Sequence, residues 1–127
     1  MSQAMLRVPA AADQARTARL VASTAARRAG MADDQLDDVR LAVGEAVALS
    51  VHRAEQADLA GEITVVMTDS ADRFSVSVAD DLTGAAVADQ DEMGLSLQLI
   101  QALAPDSEIA QDGSGIQTVR LSWPLIN

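Results

Sequence analysis

The 127-residue sequence contains no cysteine, no lysine and no tyrosine, and aromatic residues make up only 2% of it. The absence of cysteine excludes a disulfide framework and thiolate chemistry. With a single histidine besides, a zinc site is disfavoured. Since Phe74 and Trp123 are the only aromatic residues, the core has to be built from Ala, Val, Leu, Ile and Met. The hydrophobic fraction of 49% predicts a globular fold rather than disorder.

Long hydrophobic runs are also missing. No apolar stretch approaches the roughly 20 residues that a membrane span needs. Residues 1–7 lack the charged start and the long apolar segment of a secretory signal. We therefore expect no membrane partner, a cytoplasmic location and, from the length, a single domain over residues 1–127.

The charge is strongly acidic, with a net value of −10, and all nine basic residues are arginine. No Arg, Lys or His occurs between residues 74 and 119, although this segment holds eight acids. Such a surface repels nucleic-acid phosphates, so no nucleic-acid partner is expected. It favours a basic protein partner through complementary potential. The alternative is that the acids serve solubility alone.

Hydrophobic periodicity predicts the element order β-α-α-β-β-α-β-β. Strands are expected at 5–8, 63–68, 74–78, 108–111 and 116–123, and helices at 11–29, 33–54 and 94–103. On the second helix, Leu36, Val39, Val43 and Val47 form one apolar stripe, and Leu41, Glu45 and Leu49 form a neighbouring one. The order predicts an α+β two-layer sandwich with helices on one face of a mostly antiparallel sheet.

Three local patterns follow one another along the chain. The first is the helix around Glu45 and Leu49, which lie one turn apart on the same face. The second is the strand that ends at Asp80 and is followed by Gly84. The third is the helix expected to begin at Gly94, with the sequence Gly-Leu-Ser-Leu-Gln-Leu-Ile.

Together these patterns resemble the GHKL (Bergerat-fold, histidine-kinase-like) ATPases, and especially the small bacterial anti-sigma-factor serine kinases. The resemblance covers nearly the whole chain. It implies a general-base role for Glu45, a Mg²⁺-binding position at Leu49 and contact of Asp80 with the adenine amino group. It further implies nucleotide contacts at Gly84, Gly94, Leu95 and Thr118. The alternative is that none of these residues binds a ligand. Glu45 would then be a solvated or Arg-paired carboxylate, and Asp80 would be a turn residue. The glycines would only shape their loops, and Thr118 would be an ordinary strand residue.

The chain departs from the family pattern at the positions that would hold Mg-ATP. Leu49 stands where the family has the Mg²⁺-binding Asn, and Mg²⁺ requires oxygen ligands. Leu82 replaces the first glycine of the Asp-x-Gly-x-Gly loop, and Arg53 stands where these kinases commonly have His. The lid segment carries Asp89, Asp91 and Glu92 without a cation, which repels a triphosphate. Against this, backbone amides at a helix start near Gly94 would favour an anion.

These departures predict a regulatory protein, similar to anti-sigma factors, that acts by protein–protein binding with a degraded or atypical ATP site. Its expected partner is a sigma factor or an anti-anti-sigma protein, and the resemblance adds a possible homodimer. No metal and no cofactor are expected, although the resemblance alone implies ATP and Mg²⁺. One alternative is an ATP-dependent protein serine kinase with Glu45 as base. Another is a small-ligand sensor that uses the former nucleotide pocket.

Overall fold

The computed structural model describes residues 2–82, 90–112 and 115–125, with residues 90–93 described by their backbone only. The elements, in chain order, are β1 (Ser2–Pro9), α1 (Gln14–Arg28), α2 (Asp33–Ala57), β2 (Glu62–Asp69), β3 (Arg73–Asp80), α3 (Gln90–Leu103), β4 (Glu108–Gln111) and β5 (Gln117–Pro124). None of these helices combines the length and the apolar composition that crossing a membrane requires.

The strands form one sheet in the order β1-β2-β3-β5-β4, and all four pairings are antiparallel. This confirms the predicted α+β sandwich. The first strand begins at Ser2 instead of residue 5, because it pairs with β2 over eight residues, from Ser2 opposite Asp69 to Pro9 opposite Glu62. Backbone pairing extends the strand past its hydrophobic part.

Alternation along the strands separates a core face from an open face. On β3, Phe74, Val76, Val78 and Asp80 are buried, whereas the residues between them are only half-buried. Since successive side chains of a strand point to opposite faces, Asp80 lies on the face that the helices cover. The predicted hairpin of β2 and β3 is confirmed by their register.

Helix α2 packs its predicted stripe of Leu36, Val39, Val43 and Val47 fully into the core. The neighbouring stripe was predicted to be apolar, which would imply that it is buried throughout, but its burial is mixed. Leu49 is buried, Glu45 is half-buried, and Leu41 is 59% exposed. Helix α1 packs on α2 more extensively than α3 does, yet Leu41 stays largely exposed.

Both long helices end in left-handed residues. Gly30, with φ of 96°, follows α1 as predicted, and the N–H of Met31 donates to the carbonyl of Ala26. Helix α2 runs beyond its predicted end at residue 54 and stops at Asp58, which has φ of 52°. The additional turn keeps residues 53 and 54 within regular helix, and both are buried.

Helix α3 begins at Gln90 rather than at Gly94, so that prediction of its start is wrong. Only the first turn of a helix leaves backbone N–H groups unpaired, and the amides of residues 94–96 lie beyond it. They are therefore not an anion-binding helix start. At the other end, the indole Nε1 of Trp123 donates to the carbonyl of Leu103 at 2.9 Å, which ties α3 to the sheet.

Candidate functional site

One face of α2 lies against the end of β3 and the start of β5. Glu45, Leu49 and Arg53 follow one another at intervals of four along this face, so they stack one turn apart. Asp80 is the last residue of β3 and Gln117 is the first of β5. Ser50 and Arg53 of α2 both contact Asp80, so this part of the helix meets the end of β3.

The carboxylate of Asp80 is buried, and both of its oxygens have partners within the chain. Oδ2 accepts hydrogen bonds from Nη1 of Arg53 and, at 2.9 Å, from Oγ of Ser50. Oδ1 accepts from the backbone N–H groups of Leu82 at 3.3 Å and Gln117 at 3.4 Å. A buried charge is tolerated when it is paired and hydrogen-bonded, and this one has four donors.

The guanidinium of Arg53 is as deeply buried as its partner, with side-chain exposures of 2% for Arg53 and 0% for Asp80. Its second terminal nitrogen, Nη2, donates at 2.5 Å to the carbonyl of Gly115, a residue with φ of 95° that precedes β5. Nε has no hydrogen-bond partner among the residues that the structure describes. Arg53 thus joins α2 to the end of β3 and to the connection between β4 and β5.

Leu82 fills the space beside this ion pair. It is buried, and with Ala54 it forms a small apolar cluster that is separate from the main core. A Cβ atom at Gly61 would lie 2.5 Å from Cδ2 of Leu82, so this side chain is pressed against the start of β2. Leu82, where the resemblance leads one to expect a glycine, is therefore an integral packing residue.

Leu49 and Glu45 are the two positions for which the resemblance implied metal and base chemistry. Leu49 is buried in the main core and presents no oxygen. Glu45 is half-buried, and its Oε1 accepts a hydrogen bond of 3.3 Å from Oγ of Ser96 on α3. Among the described residues, no group of three or more His, Asp or Glu side chains is arranged to hold a metal ion.

The remaining predicted site residues do not join Asp80. Thr118 lies between the buried residues Gln117 and Val119, so the strand alternation turns it to the open face of the sheet. Leu95 is 70% exposed on α3, and Gly94 lies in the second turn with nothing within 4 Å of an added Cβ. Gly84 and Asp89 lie outside the described residues, as do the side chains of Asp91 and Glu92.

Three residues of the site were missed by the sequence analysis as partners of Asp80: Ser50, Arg53 and Gln117. Arg53 had a recognisable signal, because its spacing from Glu45 and Leu49 places it on the same helical face. Ser50 is one position beyond Leu49, and Gln117 is adjacent to Thr118. Their partnership with Asp80 depends on how the helix is seated on the sheet, which local spacing does not encode.

Comparison with known proteins agrees with this architecture. The sequence model of the histidine kinase-like ATPase domain matches residues 8–123. The chain is similar to the serine-protein kinase RsbW of Bacillus mycoides, with 32% identity over 123 residues that cover 84% of this chain and 76% of the relative. The RsbW protein of Bacillus cereus is 31% identical over the same shares of both chains. With its sandwich, its α2 helix and its β3 aspartate in place, this chain belongs to the family of histidine kinase-like ATPase domains.

Proposed function

We propose that this chain is a regulatory protein, similar to anti-sigma factors, that acts by binding another protein and whose ATP site is degraded. The observation that carries the proposal is the buried ion pair between Arg53 and Asp80. The resemblance to the family implies that the aspartate at this position accepts a hydrogen bond from the adenine amino group. Here an internal guanidinium donates to the same carboxylate.

Adenine binding would have to compete with that guanidinium. Separating a buried ion pair by removing one partner costs about 3–5 kcal/mol, because it leaves a buried charge uncompensated. Such a cost corresponds to a loss of about two to four orders of magnitude in affinity. Since Arg53 also holds the carbonyl of Gly115, displacing it would break a second interaction.

The metal position supports the same conclusion. Leu49 has no ligand atom for Mg²⁺, which demands oxygen ligands in near-octahedral geometry. A triphosphate without its metal would meet a segment that contains acids and no basic residue. The site therefore lacks the groups that would hold the base, and it also lacks those that would hold the phosphates.

We further propose that the partner is a sigma factor or an anti-anti-sigma protein and that the two meet in the cytoplasm. In this proposal the whole chain acts as one domain, either alone or as a homodimer. The net charge of −10 favours a partner with a basic surface through electrostatic complementarity. No step of such binding requires phosphoryl transfer.

A kinase remains the second candidate, because the similar RsbW proteins are named serine-protein kinases and Glu45 is retained in a half-buried position. A general base acts only on a bound and positioned substrate. The sensor alternative is less favoured, because the buried side chains of Leu49 and Leu82 take up apolar space that a ligand would need.

Calorimetric titration with Mg-ATP distinguishes the hypothesis of a binding regulator from that of a kinase. We expect no saturable heat up to millimolar nucleotide, with a Bacillus cereus RsbW protein as the positive control under the same conditions. Micromolar binding to this chain would show that the site is not degraded. Purification of the tagged chain from its native host tests the partner, and recovery of neither a sigma factor nor an antagonist would contradict the binding role.

A further inference from the structure

Strand β1 lies at one edge of the sheet, next to β2 alone among the described strands. The N–H of Ala10 donates to the carbonyl of Gly61 at 2.8 Å, which continues the register of β1 on β2 by one pair. Hydrogen-bonded and non-bonded pairs alternate in an antiparallel ladder, so the even-numbered residues of β1 bond to β2. The backbone N–H and C=O groups of Gln3, Met5 and Arg7 therefore point away from the sheet.

This edge has little of the protection that exposed strands usually carry. Native edge strands tend to be very short, or are blocked by charges, prolines or bulges. Strand β1 pairs with β2 over eight residues in one continuous register, with Arg7 as its only charged residue and Pro9 at its end. At the opposite edge, β4 has only four residues. Strand β1 is therefore the edge that is more open to a further strand.

A groove with a volume of about 300 Å³ lies between the edge of β1 and α1. Its lining is mainly apolar and consists of Ala4, Leu20, Val21, Thr24, Ala25 and Arg28. A strand added to β1 would lie about 4.8 Å beyond it and would turn every second side chain to the face of Ala4. The groove can thus receive apolar side chains of such a strand, with Leu20, which is 54% exposed, as one wall.

The arginines of this part of the molecule differ from the others. The four arginines beyond residue 30 each form an ion pair, namely Arg40, Arg53, Arg73 and Arg120. The five within the first 30 residues have no ion-pair partner among the described residues. Arg7 lies on β1, Arg28 lines the groove, and Arg16 lies one turn before Leu20 on α1. Three positive charges without acidic partners therefore flank the edge.

Few acids offset these charges. The β2 residues opposite positions 3–7 are all uncharged. Glu62 and Asp69 lie opposite the two ends of β1, and the carboxylate of Asp69 accepts a hydrogen bond of 3.0 Å from the N–H of Ser2. Asp13 is the only acid in the first 30 residues. The edge is thus locally basic in a chain whose net charge is −10.

We propose that the edge of β1 accepts an extended acidic segment of a partner protein, which adds a sixth strand to the sheet. Its backbone pairs with Gln3, Met5 and Arg7, its apolar side chains enter the groove, and its carboxylates meet the arginines. Addition of a strand to an exposed edge is a recurring mode of peptide recognition. The inference rests on the proposed binding function and names the chemistry of one partner segment.

Other occupants fit these observations less well. Nucleic acid would be repelled by the acidic remainder of the chain, and it has no groups that match a row of outward backbone donors and acceptors. Two copies of β1 would bring the arginines that lack acidic partners toward one another, which like-charge repulsion opposes. An extended peptide with carboxylates satisfies both the backbone groups and the charge.

Hydrogen exchange with a model peptide tests the assignment. The probe is a capped peptide of about seven residues in which Glu alternates with Val, as the period of a strand requires. One control peptide has Lys in place of Glu, and another has the same composition with its Val residues contiguous. We expect the alternating Glu peptide to slow exchange at the amides of Gln3, Met5 and Arg7 by at least about tenfold at saturation, without a comparable change at Leu6 and Val8.

Variants separate backbone pairing from charge. Met5→Pro removes an outward N–H and should weaken binding of the peptide at least about tenfold, whereas the matched Met5→Thr keeps the N–H and should stay within about twofold. The double variant Arg16→Gln/Arg28→Gln should weaken binding by about two- to fivefold and lower its salt dependence. Arg120→Gln, on β5, is the matched control and should leave binding unchanged. All four replaced residues are exposed, and circular dichroism checks the fold of each variant.

The assignment is overturned if the Lys peptide or the contiguous peptide binds equally well, if the outward amides of β1 gain no protection, or if a folded Met5→Pro variant retains full affinity. It is also overturned if sedimentation shows a dimer that Met5→Pro abolishes, because a second copy would then occupy the edge. If Met5→Pro does not fold, the exchange pattern of the unmodified chain decides. Failure of the peptide to bind, together with recovery of a sigma factor or an antagonist from the native host, would contradict the edge site and leave the proposed function standing.

Discussion

Arg53 and Asp80 form the pair in which single substitutions should have the greatest effect on stability. Both side chains are almost completely buried, and each would be an uncompensated charge without the other. The surface ion pairs differ in this respect. Arg40 and Asp37, for example, are 37% and 77% exposed, and water screens their attraction.

We expect Arg53→Met to lower the free energy of unfolding by about 3–5 kcal/mol, because it leaves the buried carboxylate of Asp80 without a partner charge. Arg40→Met is the matched control and should cost less than about 1 kcal/mol. Urea denaturation of both variants measures the difference. Equal and small losses would show that the buried pair contributes no more than a surface one.

The double variant Arg53→Met/Asp80→Asn gives a second readout. It removes both charges while Asn keeps an acceptor for Ser50 and the backbone donors. Its loss of stability should be smaller than the sum of the two single losses, since neither charge is left unpaired. Additive losses would argue that the two residues stabilise the fold independently.

At the scale of single elements, α3 differs most from its sequence-based prediction. Glycine and the expected nucleotide contact favoured a helix start at residue 94, yet the helix begins one turn earlier. Gly94 is therefore an interior helical residue, where glycine is unfavourable by about 1 kcal/mol relative to alanine. Space for a methyl group is available at this position.

We expect Gly94→Ala to raise the free energy of unfolding by about 0.5–1 kcal/mol. Gly61→Ala serves as the contrasting variant, because its new Cβ would lie 2.5 Å from Cδ2 of Leu82. It should destabilise the protein by about 1–3 kcal/mol through overpacking. Thermal unfolding measures both effects, and a destabilising Gly94→Ala would mean that the glycine is required where it is.

At the scale of the whole molecule, the net charge of −10 produces self-repulsion. Raising sodium chloride from about 0.05 M to about 0.5 M should screen it and increase the melting temperature by about 2–5 °C. The exposed ion pairs are too weak to reverse this effect, and the Arg53–Asp80 pair is shielded by its burial. Calorimetry at several salt concentrations tests the sign, and a decrease would refute it.

Restoration of nucleotide binding is also a property of the whole molecule. Leu49→Asn alone supplies a metal ligand but leaves Asp80 occupied by Arg53, so we expect no Mg-ATP binding below about 1 mM. The combination Leu49→Asn/Arg53→His/Leu82→Gly opens both ends of the site and should bind. Calorimetry of the two proteins distinguishes them, with binding by the single variant contradicting the importance of Arg53.

Much of the architecture was predictable because it depends on local chemistry. Period-two alternation located β2 and β3, and the stripe from Leu36 to Val47 located the core face of α2. Errors occurred at element boundaries. Strand β1 gained residues from pairing with β2, and helix α3 begins at Gln90 instead of Gly94.

The sequence by itself determined the element order, the family and the absence of a metal ligand at Leu49, because each of these depends on residue types at fixed local spacings. Only the tertiary structure decided that Arg53 meets Asp80, since the two residues are 27 positions apart and are joined by packing of α2 on the sheet. It likewise decided that Leu41, Leu95 and Leu99 remain exposed. Burial depends on which surfaces the other elements cover, and an isolated segment carries no information about that.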